Sequence, residues 1–304
     1  MLIVDSHAHI FEDFSGVINR CPIKSLKFGK VKIGNEIIDF LPPYFENSNS
    51  PVELLIACMD SCCIEKTILV QNIIYGYNNE YCIKAICNYP NRFKVIALID
   101  LFGGKNSLIN LKKYIERYGF SGVKIDVLNG LKQFDSKLNI NCNIIKPIFT
   151  YCNEKNLKIM LHLSNKEDLK PLIKIIQKYR NIKFVICHLG SEATFNTNVP
   201  KNESLLELID IIRENENVWV DLSSVHYYLK DDIYPFKRTC KIVEEVYLKI
   251  GPNKMMWGSD YPGTLNMATY SQLKNYLIEG CKRIDKNHLD MIMGGNAYKL
   301  FWNL

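Results

Sequence analysis

Two histidines one residue apart, His7 and His9, close the apolar run from Leu2 to Ile10, and Asp5 stands two residues before the first. Neutral imidazole and carboxylate are the donors that zinc and related divalent ions take, and an open coordination position makes such an ion catalytic. Residues i and i+2 of a strand face the same way. Asp5, His7 and His9 are therefore expected on one face, with Asp5 either orienting an imidazole or filling a polar position in a barrel layer. A histidine pair by itself is as well explained by a hydrogen-bonded core. The rest of the chain changes the balance. His162 in "KIMLHLS", His188 in "KFVICHLGS" and Asp260 in "MMWGSDYP" each end another apolar run, so four of the six histidines occupy such positions. Burying so many polar groups together is costly unless a ligand or mutual partners satisfy them.

What must hold these residues is a series of short strands. "LIVDSHAHI", "KTILVQN", "FKVIALID", "SGVKIDV", "KIMLHLS", "KFVICHLGS", "VWVDLSS" and "MMWGSDYP" are strand-like. Between them lie helix-period segments such as "SLINLKKYIERYG", which Gly119 is placed to cap, "EDLKPLIKIIQKY" and "SLLELIDIIREN". Eight strands alternating with helices predict a (β/α)8 TIM barrel, whose chemistry sits at the carboxyl ends of the strands. An open doubly wound sheet is the competing architecture, but no G-x-G-x-x-G follows the first strand. No linker or composition break divides the chain, so residues 1–304 read as one domain. Residues 11–50 make a long first connection in which "LKFGKVKIGNEIIDFLPPYF" predicts a β-hairpin insertion, expected as a flap over the active-site mouth. The segments after the eighth strand predict two or three extra C-terminal helices.

The bulk numbers narrow the partners. With 47% hydrophobic and 23% charged residues the chain can bury a large core. The net charge of +6 comes from scattered lysines with no basic stripe, which argues against nucleic acid. No apolar run reaches a membrane span. The eleven cysteines lack paired CxxC spacing and read as small hydrophobes in a reducing compartment. With no basic-then-apolar leader pattern at the start, a cytoplasmic enzyme acting on a small-molecule substrate is expected, and homo-oligomerisation stays open.

"DSHAHI", "GVKI", "LHLS", "CHLG" and "WGSDYP", in that order, with the closing "GGNAYKLF", resemble the amidohydrolase superfamily, most closely its amidohydrolase-related branch. The resemblance covers nearly the whole chain. It implies that His7, His9, His162 and Asp260 bind a single divalent metal ion, most simply zinc, and that His188 is a nearby catalytic histidine. It also implies metal-activated water hydrolysing an amide, ester or lactone, with Asp260 carrying the proton and His188 steadying the oxyanion. Binuclear relatives bridge a second ion with a carbamylated lysine at the end of strand four, where Lys124 stands here; its other reading is a polar pocket lysine. Two alternatives accompany the hydrolase: a metal-dependent non-oxidative decarboxylase, and an inactive binding scaffold. His226 is expected either at the pocket mouth or on an exposed loop, and His288 near the surface. Arg20, Tyr44 and Arg238 are expected as surface groups that could meet an anionic substrate, and Trp257 as a residue packed on a helix.

Overall fold

The computed structural model describes residues 1–18, 21–127, 143–195, 203–229 and 231–303. Arg20 lies outside them. The strands in chain order are β1 (Val4–Ala8), β2 (Val17–Ile18), β3 (Cys21–Ser25), β4 (Lys30–Ile33), β5 (Glu36–Asp39), β6 (Lys66–Val70), β7 (Phe93–Leu98), β8 (Gly122–Val127), β9 (Lys158–Leu163), β10 (Lys183–Ile186), β11 (Val218–Asp221) and β12 (Met255–Met256). Eight of them form one parallel sheet in the order β1-β6-β7-β8-β9-β10-β11-β12. The sheet curls shut through hydrogen bonds between its first and last members: Ser6 N to Trp257 O at 3.1 Å, His9 N to Tyr261 O at 2.7 Å and Asp260 N to His7 O at 2.8 Å. This is the (β/α)8 barrel that the alternation of apolar runs predicts.

Alternation along each strand divides the apolar residues into two cores. Val4, Ile68, Val70, Ile96, Met160, Val185, Cys187 and Met256 fill the barrel. The opposite faces, with residues such as Ile3, Ala8, Leu69, Val95, Ile159 and Phe184, pack beneath the surrounding helices. Close approach is needed where β8 begins, because a Cβ on Gly122 would lie 1.8 Å from Lys158 O. Gly119, with φ +68° and its N–H on Ile115 O, ends the helical segment before that strand as expected.

β1 departs from regular alternation. Val4 belongs to the inner core and Ala8 to the outer one, although four residues apart in a regular strand would place them on the same face. The pairing with β6 shifts register between Asp5 and Ala8, which accounts for the change of phase. Asp5 thus falls on the helix side, and His7 and His9 on the barrel side.

The insertion after β1 is larger than a hairpin. β2, β3, β4 and β5 form a four-stranded antiparallel sheet, with a two-residue Gly34-Asn35 turn joining β4 to β5. An aromatic cluster of Phe11, Phe14, Phe40 and Tyr75 seats it on the barrel, and Asn266 Nδ2 donates to Phe40 O at 2.8 Å. After β12, helices Tyr270–Asn275, Lys286–Asp290 and Asn296–Phe301 complete the chain. Trp257 is buried against the first of these, its Nε1 donating to Leu273 O at 2.9 Å. Among the described residues no helix is long and apolar enough to cross a membrane.

Candidate metal and catalytic centre

Hydrogen bonds behind each imidazole fix what it presents in front. His9 Nδ1 lies 2.6 Å from Val70 O, and a carbonyl can only accept, so Nδ1 carries the proton and Nε2 a lone pair. His7 Nδ1 lies 3.0 Å from Asp221 Oδ2, with the same result. His188 Nδ1 sits 3.1 Å from Ser223 O and 2.8 Å from Ser223 Oγ. That hydroxyl donates to Asp221 Oδ1, so it too accepts from His188, whose Nε2 is left as a lone pair.

These lone pairs converge on a carboxylate. Asp260 Oδ1 is 2.9 Å from His9 Nε2 and 3.8 Å from His7 Nε2, while Ser224 Oγ donates to Oδ2. Donor atoms of His7, His9 and Asp260 all lie within 4.8 Å of one another, as do those of His7, His188 and Asp221. His7 Nε2 is buried with no hydrogen-bond partner. Burial holds His9 and His188 below the usual imidazole range, against the pull of Asp260. A neutral His9 therefore turns a lone pair toward an ionised oxygen at 2.9 Å. Acceptor facing acceptor is repulsive unless a cation lies between them, so the donor set fits a divalent metal.

His162 is placed differently from the expected ligand set. It lies beside His188, with ring centroids 5.1 Å apart, but belongs to neither group of converging donors. Its Nε2 is 3.1 Å from Glu192 Oε2 and 3.4 Å from the Tyr228 hydroxyl, while its Nδ1 is buried without a hydrogen-bond partner, 4.0 Å from Asp126 Oδ1. Asp5 orients no imidazole: it accepts from Ser259 N, Ser259 Oγ and Tyr270 Oη, because the shift of register in β1 turns it outward. Asp221 takes the orienting role instead. Lys124 is buried, its Nζ 3.4 Å from Asp126 Oδ1, and is not among the residues that line the cavity.

The remaining residues are quickly placed. Tyr44 is exposed. Arg238 N donates to Asp232 Oδ1 at the start of helix Lys237–Ile250, away from the cavity lining. His288 Nδ1 is 2.7 Å from Tyr247 Oη, joining two helices. His226 is neither at the mouth nor exposed: it is buried, stacked on Phe236 at 4.3 Å, and neither ring nitrogen has a partner. Burial lowers its pKa from 6.5 to about 4. A histidine more acidic in the folded than in the unfolded chain supports stability above pH 6.5 and loses that support as pH falls through about 4. The span corresponds to roughly 3 kcal/mol. His226→Phe should therefore flatten stability between pH 6.5 and 4 without lowering it at pH 7.5, as read by urea unfolding at each pH. An unchanged acid limb would contradict this role.

A cavity of about 840 Å³ opens above the centre, lined by His9, His162, His188 and Asp260 at its floor and by Ile18, Ile38, Asp39 and Phe40 of the insertion at its side. The insertion thus covers part of the mouth, where the sequence places it.

Solved structures share this architecture. A "probable 2-pyrone-4,6-dicarboxylic acid hydrolase" from Acinetobacter baumannii, with citric acid bound, superposes with a TM-score of 0.70 at 21% identity, covering 99% of this chain and 100% of its own. An amidohydrolase from Burkholderia multivorans with bound HEPES gives 0.73 at 15% identity, covering 99% of each chain. A 2,6-dihydroxybenzoate decarboxylase from Rhizobium gives 0.59 at 15% identity, covering 82% of this chain and 87% of its own. No curated protein sequence matches significantly. Residues 4–302 match the sequence profile described as Amidohydrolase, and the chain belongs to that family.

Proposed function

We propose that this protein is a metal-dependent hydrolase of a small amide, ester or lactone, with one divalent ion, zinc by the chemistry of its donors, held by His7, His9 and Asp260. The observation that carries the reading is the convergence of imidazole lone pairs on an ionised carboxylate at the floor of a cavity. An ion in such a setting lowers the pKa of water to about 7 and polarises a carbonyl.

The chain's own residues supply the rest. Ser224 fixes the Asp260 carboxylate, which takes the proton of the attacking water and returns it to the leaving group. His188, with its proton committed to Ser223, offers a lone pair rather than a donor. It is therefore a second proton acceptor beside Asp260, in place of the oxyanion donor that the family resemblance implies. The insertion and the Tyr227–Tyr228 side of the cavity exclude bulk water from the carbonyl.

Metal per chain, measured on protein reconstituted with zinc, tests the centre. Wild type should hold close to one ion and His9→Asn should lose it. His162→Asn should keep it, because His162 lies outside the group of donors that converge with Asp260. A second ion lost in Lys124→Ala would overturn the single-metal reading, and metal far below one per chain would favour a binding scaffold. Products released without uptake of water, with carbon dioxide among them, would instead identify a carboxy-lyase.

A further inference from the structure

The cavity carries a charge pattern of its own. Among the described residues that line it, the charged side chains are Asp39, Glu192 and Asp260, all acidic. Asp260 belongs to the donor set, and Asp39, largely exposed on the insertion, is paired with Lys30 at 2.9 Å. Glu192 is the acid left facing the interior. It opens helix Glu192–Phe195 directly after the turn in which His188, Leu189, Gly190 and Ser191 all have positive φ, and its side chain remains 39% exposed. Burial would raise its carboxyl, but the hydrogen bond and charge of His162 hold it below the usual range.

Two tyrosines share the cavity with this carboxylate, and the Tyr228 hydroxyl approaches the same His162 nitrogen that Glu192 contacts, at 3.4 Å. Tyr227 and Tyr228 line the same cavity, edge to face with centroids 5.4 Å apart, and Phe195 stacks on Tyr228 at 6.2 Å. An acid beside tyrosine faces attracts a cation through both charge and the ring quadrupoles, and repels an anion in a partly dehydrated space. The spacing from the metal donors is also defined. Ring centroids step 4.6 Å from His7 to His188 and 5.1 Å on to His162, which Glu192 contacts. Glu192 therefore stands at the far end of a ring series that leads back to the proposed donors, within the same cavity.

We propose that the substrate carries a cationic amino group, bound by Glu192 against the Tyr227 and Tyr228 rings, a short linker away from the bond that is hydrolysed. The proposal rests on the reading of this cavity as the substrate site. It also separates this chain from the relative crystallised with citric acid, a polycarboxylate.

Calorimetric titration with benzylammonium and with benzyl alcohol, which share size and shape but differ in charge, tests it on metal-loaded and metal-stripped protein. Benzylammonium should bind roughly tenfold tighter than the alcohol in both forms. Glu192→Gln should shrink the advantage to about threefold or less, and Tyr228→Leu should weaken the cation more than the alcohol. Thermal melts establish that each variant is folded. If Glu192→Gln is not, loss of the advantage in wild type at high salt supplies the same readout. Equal or tighter binding of the alcohol, tighter binding of benzoate by the stripped protein, or a cation preference unchanged in folded Glu192→Gln would overturn the proposal. A preference that persists in a protein unable to hold metal would leave it standing and remove the hydrolase reading alone.

Discussion

Asp260→Asn is expected to cost the protein both its metal and its turnover. Asp260 Oδ1 is the atom on which His7 and His9 converge, so the substitution replaces the anion of the donor set with a neutral amide. It also removes the proton carrier, a role that contributes roughly 10²–10⁴-fold in rate. The metal-free variant should nevertheless fold well. Asparagine supplies an N–H where wild type sets an oxygen 2.9 Å from the His9 lone pair, and the repulsion becomes a hydrogen bond. A chelator should thus lower the melting temperature of wild type and leave that of Asp260→Asn unmoved. His188→Asn provides the contrast, since it should lose rate but keep close to normal metal. Full activity in His188→Asn, or full metal in Asp260→Asn, would contradict the arrangement.

The second large effect falls on a residue outside the expected ligand set. Asp221 is fully buried and accepts hydrogen bonds from His7 Nδ1, from the backbone N–H groups of His188 and Ser223, and from the Ser223 hydroxyl. Asp221→Ala leaves all four donors without their acceptor, and losing one partner of such a buried charged network costs about 3–5 kcal/mol. Asp221→Asn should be milder for stability but should still lower metal affinity by roughly 10–100-fold, because the imidazole is no longer held in the tautomer that presents Nε2. Acid dependence has a definite sign. Burial would raise this carboxyl, yet His7 holds it far below its ordinary value of 3.8. Its contribution is therefore present above about pH 4 and disappears as the carboxyl is forced to protonate at lower pH. Urea midpoints at pH 7 and pH 3, with zinc titrations at pH 7, measure both effects. An alanine variant as stable as wild type would show that the network carries no weight.

How far these residues could be read from the sequence depends on what periodicity records. The eight strands were legible because each is a short apolar run closed by a turn, and His7, His9, His188 and Asp260 because each ends such a run. Asp221 ends β11 in the same way, in "VWVDLSS", and could have been included on that ground. Glu192 was harder to find. It reaches the cavity through a turn of positive-φ residues, and only Gly190 there marks left-handed backbone by its type. Asp5 departs from the expected face because strand alternation assumes regular pairing, and a shift of register leaves no mark in residue types. His226 gives no sign of its burial in the sequence, because nothing local distinguishes a histidine stacked on Phe236 from one in solvent.

The insertion has a consequence for how a lineage carrying this fold can change. Its four strands exchange backbone hydrogen bonds with one another, and the Gly34-Asn35 turn lies at the end of the β4–β5 hairpin, outside the barrel ladder. Residues gained or lost at that tip leave the eight-stranded register alone, and doubling a flexible loop costs only about 0.6 kcal/mol in closure entropy. The same insertion lends Ile38, Asp39 and Phe40 to the cavity wall. Small insertions can therefore alter what enters while the histidines beneath keep their positions. Descendants are free to diverge in diet before they diverge in chemistry.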